Sequence, residues 1–292
     1  MEMKVPVSVF IITRDEADRI ERTIRAALQV SRDIVVVDSG STDGTDEIAR
    51  SLGARVVHNP WPGYGAQKNF AQTLCAHDWV LNLDADEVIS DALISEIRGI
   101  FDDAGPQADA YMVRIVDVIP GEAGPRPLAY AFDPVRLYRR DVGKFSLSTV
   151  HDRVELHSGA VRSRLRGKIN HFSIRGIGAQ LTKFNEYTDA QVDDIFSRGG
   201  HFHWWRLFIE FPAAFLKAYL IRRHFVGGRY GFLMAMNYAI FRHLRVAKYH
   251  ERRMLGMRCR KLPVGHRDAA CSDTGRRAAS MHEHQYGDSE KA

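Results

Sequence analysis

The first hundred residues alternate between short apolar runs and amphipathic stretches. The apolar runs are rich in Val and Ile, which is typical of strands buried on both faces of a parallel sheet. They lie at residues 7–12, 33–37, 55–58 and 79–83. The spacing of apolar side chains and the residues suited to helix ends predict helices at 20–28, 65–76 and 90–101. They also predict a short helix that ends at residue 52. Strand and helix in alternation predict an α/β fold whose parallel strands are joined by right-handed crossovers.

The rest of the chain changes character twice. Beyond Gly199 and Gly200 the sequence becomes basic and aromatic, and from about residue 264 it contains few apolar residues, which predicts a disordered tail. The elements predicted before that change are strands at 110–119 and 135–139, a turn-rich loop at 120–127, a strand pair at 161–174 and a helix at 178–198.

Charge is distributed unevenly along the chain. The 292 residues carry a net charge of +5, yet residues 201–261 contain 13 lysines and arginines and only two acids, so the remainder is acidic. Three cysteines are too few and too scattered for a disulfide framework or a zinc knuckle, which favours a reducing compartment. The N-terminus has no apolar segment of the signal-peptide kind, so we expect a cytoplasmic protein.

Polar side chains follow each of the four predicted parallel strands. Ligands of open α/β sheets bind beyond the carboxyl ends of the strands, so these loops are expected to form one site. The loops are residues 13–16, 38–45, 59–69 and 84–87.

The acidic loop Asp84-Ala85-Asp86-Glu87 carries the most specific chemistry. Carboxylates at a strand end suit Mg²⁺ or Mn²⁺, which keep open positions for substrate phosphates. A bound ion would neutralise charge as a sugar–phosphate bond breaks. The alternative is that Asp84 caps a helix while Asp86 and Glu87 are solvated. Because three other polar loops share the predicted sheet edge, we favour the metal site.

Three residues in the other loops have two interpretations each. Asp38 can accept a hydrogen bond from the imide of uracil, or can fold its own turn by accepting from backbone N–H groups. Glu16 can accept from a ribose hydroxyl, or can serve as a first-turn acid favoured by the helix dipole. Lys68 can pair with a phosphate or can be a surface lysine. We favour the ligand role for Asp38 and Lys68 and leave Glu16 open.

Three motifs together resemble family 2 glycosyltransferases with the GT-A fold. They are Thr-Arg-Asp-Glu at 13–16, Val-Val-Asp-Ser-Gly-Ser-Thr-Asp-Gly-Thr at 36–45 and Leu-Asp-Ala-Asp-Glu at 83–87. Later segments resemble the lipopolysaccharide core β-1,4-glucosyltransferase branch; these are residues 149–154, 170–173 and 217–251. The chain departs from the family at Asp15, where Asn is usual, and from the branch at Asp152, where Glu is usual.

The resemblance implies a UDP-sugar donor and either Mn²⁺ or Mg²⁺ as the cofactor. Asp38 and Asp84 would hold the uridine, with the backbone near Thr13 and the side chain of Glu16 close by. Lys68 would lie at the phosphates.

The resemblance also implies which residue binds the metal. Asp86 would be a ligand, and His151 would supply a second one from the far side of the cleft. Histidine suits Mn²⁺ better than Mg²⁺. The alternative is that His151 is a hydrogen-bonding histidine at a strand end, and the same two interpretations apply to His171, which is the second candidate. Glu87 is expected to bind neither the nucleoside nor the metal, because the following residues turn it toward the next helix.

Family 2 enzymes invert the sugar linkage, which needs one general base to deprotonate the acceptor hydroxyl. Asp152 is our first choice for this base because it follows the donor half of the chain. Periodicity does not separate it from its rivals, which are Glu155, Asp117 and Asp133.

The predicted organisation is a GT-A catalytic domain at 1–176, with a donor half at 1–104 and an acceptor half at 105–176. A helical, basic and aromatic region follows at 177–261, and the tail occupies 262–292. Charged residues interrupt the helical region, so we expect it to lie in a membrane surface rather than span the membrane. A helical cover for the sheet is the alternative. No nucleic-acid motif accompanies the basic patch, so no nucleic-acid partner is expected.

These expectations combine into one function. The chain would transfer a sugar, glucose by resemblance, from a UDP-sugar to a lipid-linked oligosaccharide acceptor such as lipopolysaccharide core. It would act peripherally on the cytoplasmic face of the inner membrane. Two alternatives remain: a catalytically inactive glycan- or nucleotide-sugar-binding protein, and a glycosyltransferase that acts on a protein or an exopolysaccharide intermediate.

Overall fold

The computed structural model describes residues 5–102, 104–147 and 153–256. This described part divides into two compact units. Unit 1 comprises the residues up to Val118 together with Ala131–Ser173, and unit 2 comprises Ile119–Tyr130 and the residues from Ile174 onward. The predicted tail at 262–292 lies outside the described residues.

Unit 1 is built, within the described residues, on a nine-stranded mixed sheet and a two-stranded antiparallel ribbon. The strands are β1 Val7–Thr13, β2 Asp33–Asp38, β3 Arg55–His58, β4 Trp79–Asp84, β5 Glu87–Ile89, β6 Ala110–Asp117, β7 Ala131–Phe132, β8 Val135–Arg139, β9 Gly143–Phe145, β10 Val154–Leu156 and β11 Arg162–His171. The ribbon pairs β9 with β10, and the sheet has the order β3-β2-β1-β4-β8-β6-β11-β5, with β7 beside β6.

The predicted parallel strands and their helices are confirmed. β1 pairs in parallel with both β2 and β4, and β2 pairs in parallel with β3. The helices of unit 1 are α1 Ile20–Ala27, α2 Thr45–Ser51, α3 Tyr64–Thr73 and α4 Asp91–Ile100. Ser90 caps α4 by accepting a hydrogen bond from the Leu93 N–H.

Two apolar cores lie on opposite faces of the sheet. Alternate residues of β1 enter different cores: Val9 and Ile11 pack with α1 and α4, whereas Phe10 packs with α3. Because both faces are covered, the strand is apolar along almost its whole length. The apolar runs thus have the cause that the α/β prediction assumed, which is burial of the strands on both faces.

The second half of unit 1 differs from the sequence prediction. The predicted strand pair at 161–174 is wrong: residues 162–171 form the single long strand β11, which runs parallel to β6 with an irregularity between Arg164 and Lys168. Gly167 lies at this irregularity, where a Cβ would fall 2.4 Å from the Cα of Leu93. Glycine is needed there for close packing against α4 and not for a turn.

Unit 2 is helical, and it includes the loop at 120–127 that the sequence analysis had assigned to the acceptor half. Its aromatic core stacks Tyr187 on Phe241, with ring centroids 5.4 Å apart. No helix within the described residues has the length and apolar character needed to cross a membrane. The elements are α5 Ile177–Ser197, α6 Arg206–Leu216, a π-helical turn Lys217–Ile221, a 3₁₀ turn His224–Gly227 and α7 Gly228–Met254.

Candidate active site

The ends of three neighbouring strands meet at one edge of the sheet. Thr13 at the end of β1 is in register with Asp38 at the end of β2. On the other side of β1, Ile12 is in register with Asp84 at the end of β4. The strand ends that the sequence analysis expected at one edge therefore lie next to one another.

Asp38 folds the loop that follows it. One carboxylate oxygen accepts hydrogen bonds from the backbone N–H groups of Gly40 at 2.8 Å and Ser41 at 2.9 Å, and the other accepts from the Ser41 hydroxyl. The turn-forming interpretation of Asp38 is thus confirmed. A carboxylate has about four acceptor positions, so these three bonds leave room for one further donor.

The loop after β1 is fixed by the loop after β2. Asp15 has a φ of 54°, a left-handed conformation that Asn and Asp adopt more readily than most residues. Its carboxylate accepts a hydrogen bond from the Thr42 backbone N–H at 2.9 Å. Asp therefore meets the same backbone requirement as the Asn that is usual in the resembled family.

Glu16 and Thr13 are both buried beside this loop. The Glu16 carboxylate accepts a hydrogen bond from Nε of Arg19 at 2.7 Å, while its backbone carbonyl accepts from the N–H groups of Arg19 and Ile20. The Thr13 Oγ1 atom is buried and has no hydrogen-bond partner among the described residues. A buried hydroxyl without a partner is uncommon in a protein interior, which marks this strand end as a place for a ligand.

Asp84 is the most accessible carboxylate of the acidic loop, with 23% of its side chain exposed. Lys68 Nζ lies 3.0 Å from Oδ1, and an Arg136 guanidinium nitrogen lies 3.2 Å from Oδ2. Lys68 is almost fully buried, so it is not a surface lysine. In the structure its partner is Asp84.

Glu87 does not turn toward the next helix, so that expectation is wrong. Its side chain is buried because Glu87 begins β5, and an Arg136 guanidinium nitrogen lies 2.6 Å from it. The other Glu87 oxygen accepts a hydrogen bond from the Asp84 backbone N–H at 3.0 Å. Arg136 also donates to the Asn82 side-chain carbonyl. Glu87 thus fixes the backbone from which Asp84 projects.

Asp86 lies in the turn between β4 and β5 and is buried between two cationic side chains. Arg19 Nη1 lies 3.1 Å from Oδ2, and His171 Nε2 lies 3.5 Å from Oδ1. The other ring nitrogen of His171 is 2.8 Å from the Asp117 carboxylate. The sheet sets this order, because His171 at the end of β11 is in register with Asp117 on β6 and with Glu87 on β5.

The buried charged groups shift one another's pKa values. Burial alone raises the pKa of Asp86, but His171 and Arg19 outweigh burial and hold that pKa well below its usual range. Burial lowers the pKa of His171, but Asp86 and Asp117 outweigh it and raise the pKa well above its usual value. Burial raises the pKa of Glu87 to about 7, against the opposing effect of Arg136. His171 and Arg19 therefore hold Asp86 in its charged form.

The side chains around Asp86 offer few ligands for a divalent cation. Among the described residues no group of three or more His, Cys, Asp or Glu side chains is placed to hold an ion. Asp86 and His171 nevertheless present one oxygen and one nitrogen 3.5 Å apart, and Asp117 orients the ring as carboxylates commonly do behind a metal-bound histidine. Mg²⁺ and related ions often use one or two protein ligands and complete their shell with water and substrate phosphates. The residues present fit such an open site and not a closed protein cage.

The predicted second metal ligand His151 and the predicted base Asp152 lie outside the described residues. The three rivals for the base are described. Asp117 is bonded to His171, Asp133 pairs with Arg114 and Arg164, and Glu155 is exposed on β10.

Two arginines are central to the site, and sequence reasoning missed both. Arg19 joins Glu16 to Asp86, and Arg136 joins Asp84 to Glu87. A weak signal existed for Arg136, since it is a charged residue near the start of a short β-rich run. Arg19 gave none, because an arginine just before a helix is ordinary on a protein surface.

Comparison with known proteins identifies the family. The model for glycosyl transferase family 2 matches residues 8–154. An uncharacterized glycosyltransferase of Rickettsia typhi is 38% identical over 256 residues, which cover 84% of this chain and 87% of the relative. The lipopolysaccharide core biosynthesis glycosyltransferase LpsC of Rhizobium meliloti is 30% identical over 271 residues, which cover 87% of this chain and 96% of LpsC.

Among solved structures, S. aureus TarS has 15% sequence identity and a TM-score of 0.44, over 87% of this chain and 92% of that one. That likeness is too distant to support a conclusion about ligands. The chain belongs to glycosyl transferase family 2: it is a glycosyltransferase of the GT-A fold that resembles the lipopolysaccharide core branch.

Proposed function

We propose that this glycosyltransferase moves a sugar, glucose in our proposal, from a UDP-sugar to a lipid-linked oligosaccharide such as lipopolysaccharide core, with inversion at the sugar carbon. The acceptor class is supported by LpsC, whose name assigns it to lipopolysaccharide core biosynthesis and of which this chain covers 96%. The observation that carries the donor half is the side-by-side arrangement of Asp84, Asp86 and His171 at the strand ends.

The uridine would lie over the ends of β1 and β2. Asp38 is buried there with one acceptor position to spare, which suits the imide N–H of uracil. The Thr13 hydroxyl, for which the described part of the chain offers no hydrogen-bond partner, lies on the neighbouring strand. Asp84 and Glu16 would serve the ribose hydroxyls. Glu16 is already held in position by Arg19, so it would lose little conformational freedom on binding.

The diphosphate would meet the cationic side of the same loop. Lys68 pairs with the partly exposed Asp84, so a phosphate oxygen can compete for the same ammonium group. Lysine binds phosphate as a compact point charge with three donors, which suits such an exchange of partners. Arg136 would stay with Glu87 and keep the Asp84 backbone in place.

Asp86 and His171 would hold Mn²⁺ or Mg²⁺, with His151 as the other proposed ligand. Bound there, the ion would stabilise the negative charge of the leaving diphosphate. Asp117 would keep the His171 ring in the orientation that points Nε2 at Asp86. Arg19 would remain on the other oxygen of Asp86 and fix that carboxylate.

The acceptor hydroxyl would be deprotonated by Asp152, and the resulting nucleophile would displace UDP in a single step. One base is sufficient because UDP leaves as a stable anion and needs no proton. Asp117 is a weaker candidate for this role, since its carboxylate is already committed to His171.

The test is Asp152→Asn, with Asp133→Asn and Glu155→Gln as matched controls. Transfer is measured from labelled UDP-glucose to a detergent-solubilised lipid-linked core oligosaccharide, and UDP affinity is measured by calorimetry in the presence of Mn²⁺. We expect transfer to be lost in Asp152→Asn while UDP affinity is kept, and both controls to transfer normally. Wild-type turnover in Asp152→Asn would sink the assignment of the base.

A second set of reactions tests the substrates. UDP-glucose is compared with other UDP-sugars and with GDP-sugars, and the core acceptor is compared with a protein acceptor and an exopolysaccharide intermediate. Preference for a GDP-sugar, or transfer only to one of the other two acceptors, would contradict the proposed pair. A lipid-linked acceptor also places the enzyme at a membrane surface, in our proposal the cytoplasmic face of the inner membrane.

A further inference from the structure

The helical segment that contains α6 has an outer side without polar residues. All nine exposed residues between positions 204 and 221 are apolar. We call them the outer face of α6; at about 1.5 Å per residue this face is roughly 27 Å long. Its largest members are Trp204, Trp205, Phe208, Ile209, Leu220 and Ile221, and Phe208 and Ile221 are 69% and 74% exposed.

The polar residues of the same helix point inward. Glu210 is buried, and it accepts hydrogen bonds from Arg206 at 2.6 Å and from Arg242 of α7 at 3.0 Å. Ala214 and Ala218 continue this inner side. An ordinary surface helix buries its apolar stripe and exposes its polar one. In α6 the opposite holds, because its large apolar side chains face the solvent and its glutamate is buried.

The beginning of α7 extends the outer face. Phe232 and Leu233 are each close to half exposed, and the Phe232 ring packs edge-on against Phe215 of α6 at 5.5 Å. Contiguous apolar surface of this size is unusual on a monomeric protein and marks an interaction site.

Charge decides between the possible partners of this face. Residues 201–256 contain ten lysines and arginines and two acids, and one of those acids, Glu210, is buried among arginines. Arg223, in the segment that joins α6 to α7, and Arg229, in the first turn of α7, are both exposed. A second copy of the chain would bring a surface of the same sign, whereas an anionic lipid surface brings the opposite one.

The residues after 256 are a poor alternative cover. Their large apolar side chains are few and separated by polar and charged residues, so they cannot match a stripe of nine apolar positions. Two adjacent tryptophans at one end of the stripe are, by contrast, the residue type enriched where a protein meets lipid headgroups.

We propose that the outer face of α6, with Phe232 and Leu233, is the surface by which unit 2 docks on an anionic lipid bilayer, lying in the interface without crossing it. The apolar stripe enters the headgroup–acyl boundary, and the exposed arginines meet lipid phosphates. The purpose of docking rests on the proposed lipid-linked acceptor, but the docking itself does not depend on sugar transfer.

The experiment is co-sedimentation of the full chain with vesicles that contain neither donor nor acceptor. One set is phosphatidylcholine, and the other is an equimolar mixture of phosphatidylcholine and phosphatidylglycerol. The test variant is Trp204→Gln with Phe208→Gln, which changes no charge. The matched control is Leu128→Gln with Val161→Gln, two exposed apolar residues outside the face.

We expect the wild type to bind the anionic vesicles more strongly, and the test variant to lose about tenfold or more of that binding. The control variant should bind like the wild type. Equal binding by the test variant, or an equal loss in the control, would overturn the proposal. So would dimerisation of the wild type, seen by analytical ultracentrifugation without lipid and abolished in the test variant.

Two further measurements separate this proposal from the proposed function. Thermal unfolding establishes that both variants are folded. Transfer to the detergent-solubilised acceptor should be unchanged in the test variant, because no residue of the outer face belongs to the site in unit 1. Vesicle binding without any transfer activity in the wild type would refute the proposed function and leave the docking surface standing.

Discussion

At the scale of single residues, the acidic loop places its three carboxylates in three different environments. Asp84 is partly exposed and shared by Lys68 and Arg136. Asp86 is buried between Arg19 and His171, whereas Glu87 is buried under Arg136. A sequence of adjacent acids therefore becomes an accessible group, a firmly charged group and a structural group.

Arg136 is expected to stabilise unit 1, because its removal takes away the cation that opposes the effect of burial on Glu87, which must then either stay charged without a partner or take up a proton. Arg136→Met should lower the free energy of unfolding by about 3–5 kcal/mol, the range for breaking a buried ion pair. Chemical denaturation followed by fluorescence measures this change. Adding Glu87→Gln to the variant should recover part of the loss, since the amide carries no charge.

Arg139→Met is the matched control for Arg136, on the same strand three residues later. Arg139 is 43% exposed and pairs with Asp141 and Asp109, so we expect a loss below about 1 kcal/mol. Equal losses in the two variants would show that β8 needs long cationic side chains in general and that the buried pair has no special role.

Asp117 tests the arrangement behind the proposed metal site. Asp117→Asn keeps the size of the side chain but removes the charge behind His171. We expect the affinity for Mn²⁺, measured by calorimetry with UDP present, to fall about tenfold to a hundredfold. Asp133→Asn, a change of the same kind at a carboxylate paired with Arg114 and Arg164, should leave it unchanged. Unaltered Mn²⁺ affinity in Asp117→Asn would remove His171 from the proposed ligands.

The sequence was sufficient to predict where several site residues lie on the sheet, but not which side chains they pair with. Strand ends are visible in a hydrophobic pattern, so Thr13, Asp38 and Asp84 were placed on neighbouring strands correctly. The pairing of Asp86 with Arg19, 67 positions earlier, depends on how α1 packs against the loop after β4. No local pattern contains that information. Asp38 shows a different limit, since its turn-forming role was visible and was given the lower weight.

At the scale of elements, α6 shows how one carboxylate holds two helices together. Glu210 lies at the centre of three arginines, Arg206 on its own helix and Arg242 and Arg245 on α7. Burial alone raises the pKa of Glu210, but Arg206 and Arg242 outweigh it and lower that pKa below the usual value. The charged form of Glu210 is thus the one that stabilises unit 2.

The pH dependence of unit 2 follows from this sign. Because the pKa of Glu210 is lower in the folded chain, its contribution is complete above the unfolded value, near 4.5, and is lost as the pH falls through the folded value. Glu210→Gln should therefore destabilise unit 2 at pH 7 and have less effect near pH 3. Thermal unfolding followed by circular dichroism at both values measures this, with Glu251→Gln, at an exposed acid of α7, as the control. An equal loss at both values would contradict the electrostatic role.

Elements with both faces covered were predicted well, and elements with one open face were not. β1, β2 and β4 carry apolar runs that are interrupted only by Ser8 and Asn82, which favours strands buried on both faces. β11 has exposed arginines at 164 and 166 and buried residues at 165, 167 and 169, so its sequence carries no continuous apolar run. The pattern therefore did not distinguish one long strand from a strand pair, and the close approach of Gly167 to α4 became visible only in the structure.

At the scale of the whole molecule, the residues that match the family model do not include every residue of the candidate site. The family model ends at residue 154, so His171 and nearly all of unit 2 lie beyond it. All the site residues described above nevertheless belong to unit 1, because β11 returns to the sheet between β6 and β5. The outer face of α6 belongs to unit 2. The proposed donor site and the proposed lipid-docking surface thus belong to separate units and can be measured separately.

The last prediction uses this separation. If UDP and the metal bind together in unit 1, UDP should stabilise unit 1 far more with Mn²⁺ than with EDTA. A ligand present at about 100 times its dissociation constant adds about 2.7 kcal/mol to the stability of the state that binds it. Differential scanning calorimetry of the full chain should show this as a higher melting temperature of unit 1, and unit 2 should be unaffected where its transition is separate. Asp86→Asn should abolish the Mn²⁺-dependent part of the shift, whereas Asp133→Asn should keep it. An identical shift with Mn²⁺ and with EDTA would mean that nucleotide binding needs no metal, and the role proposed for Asp86 would then have to be given up.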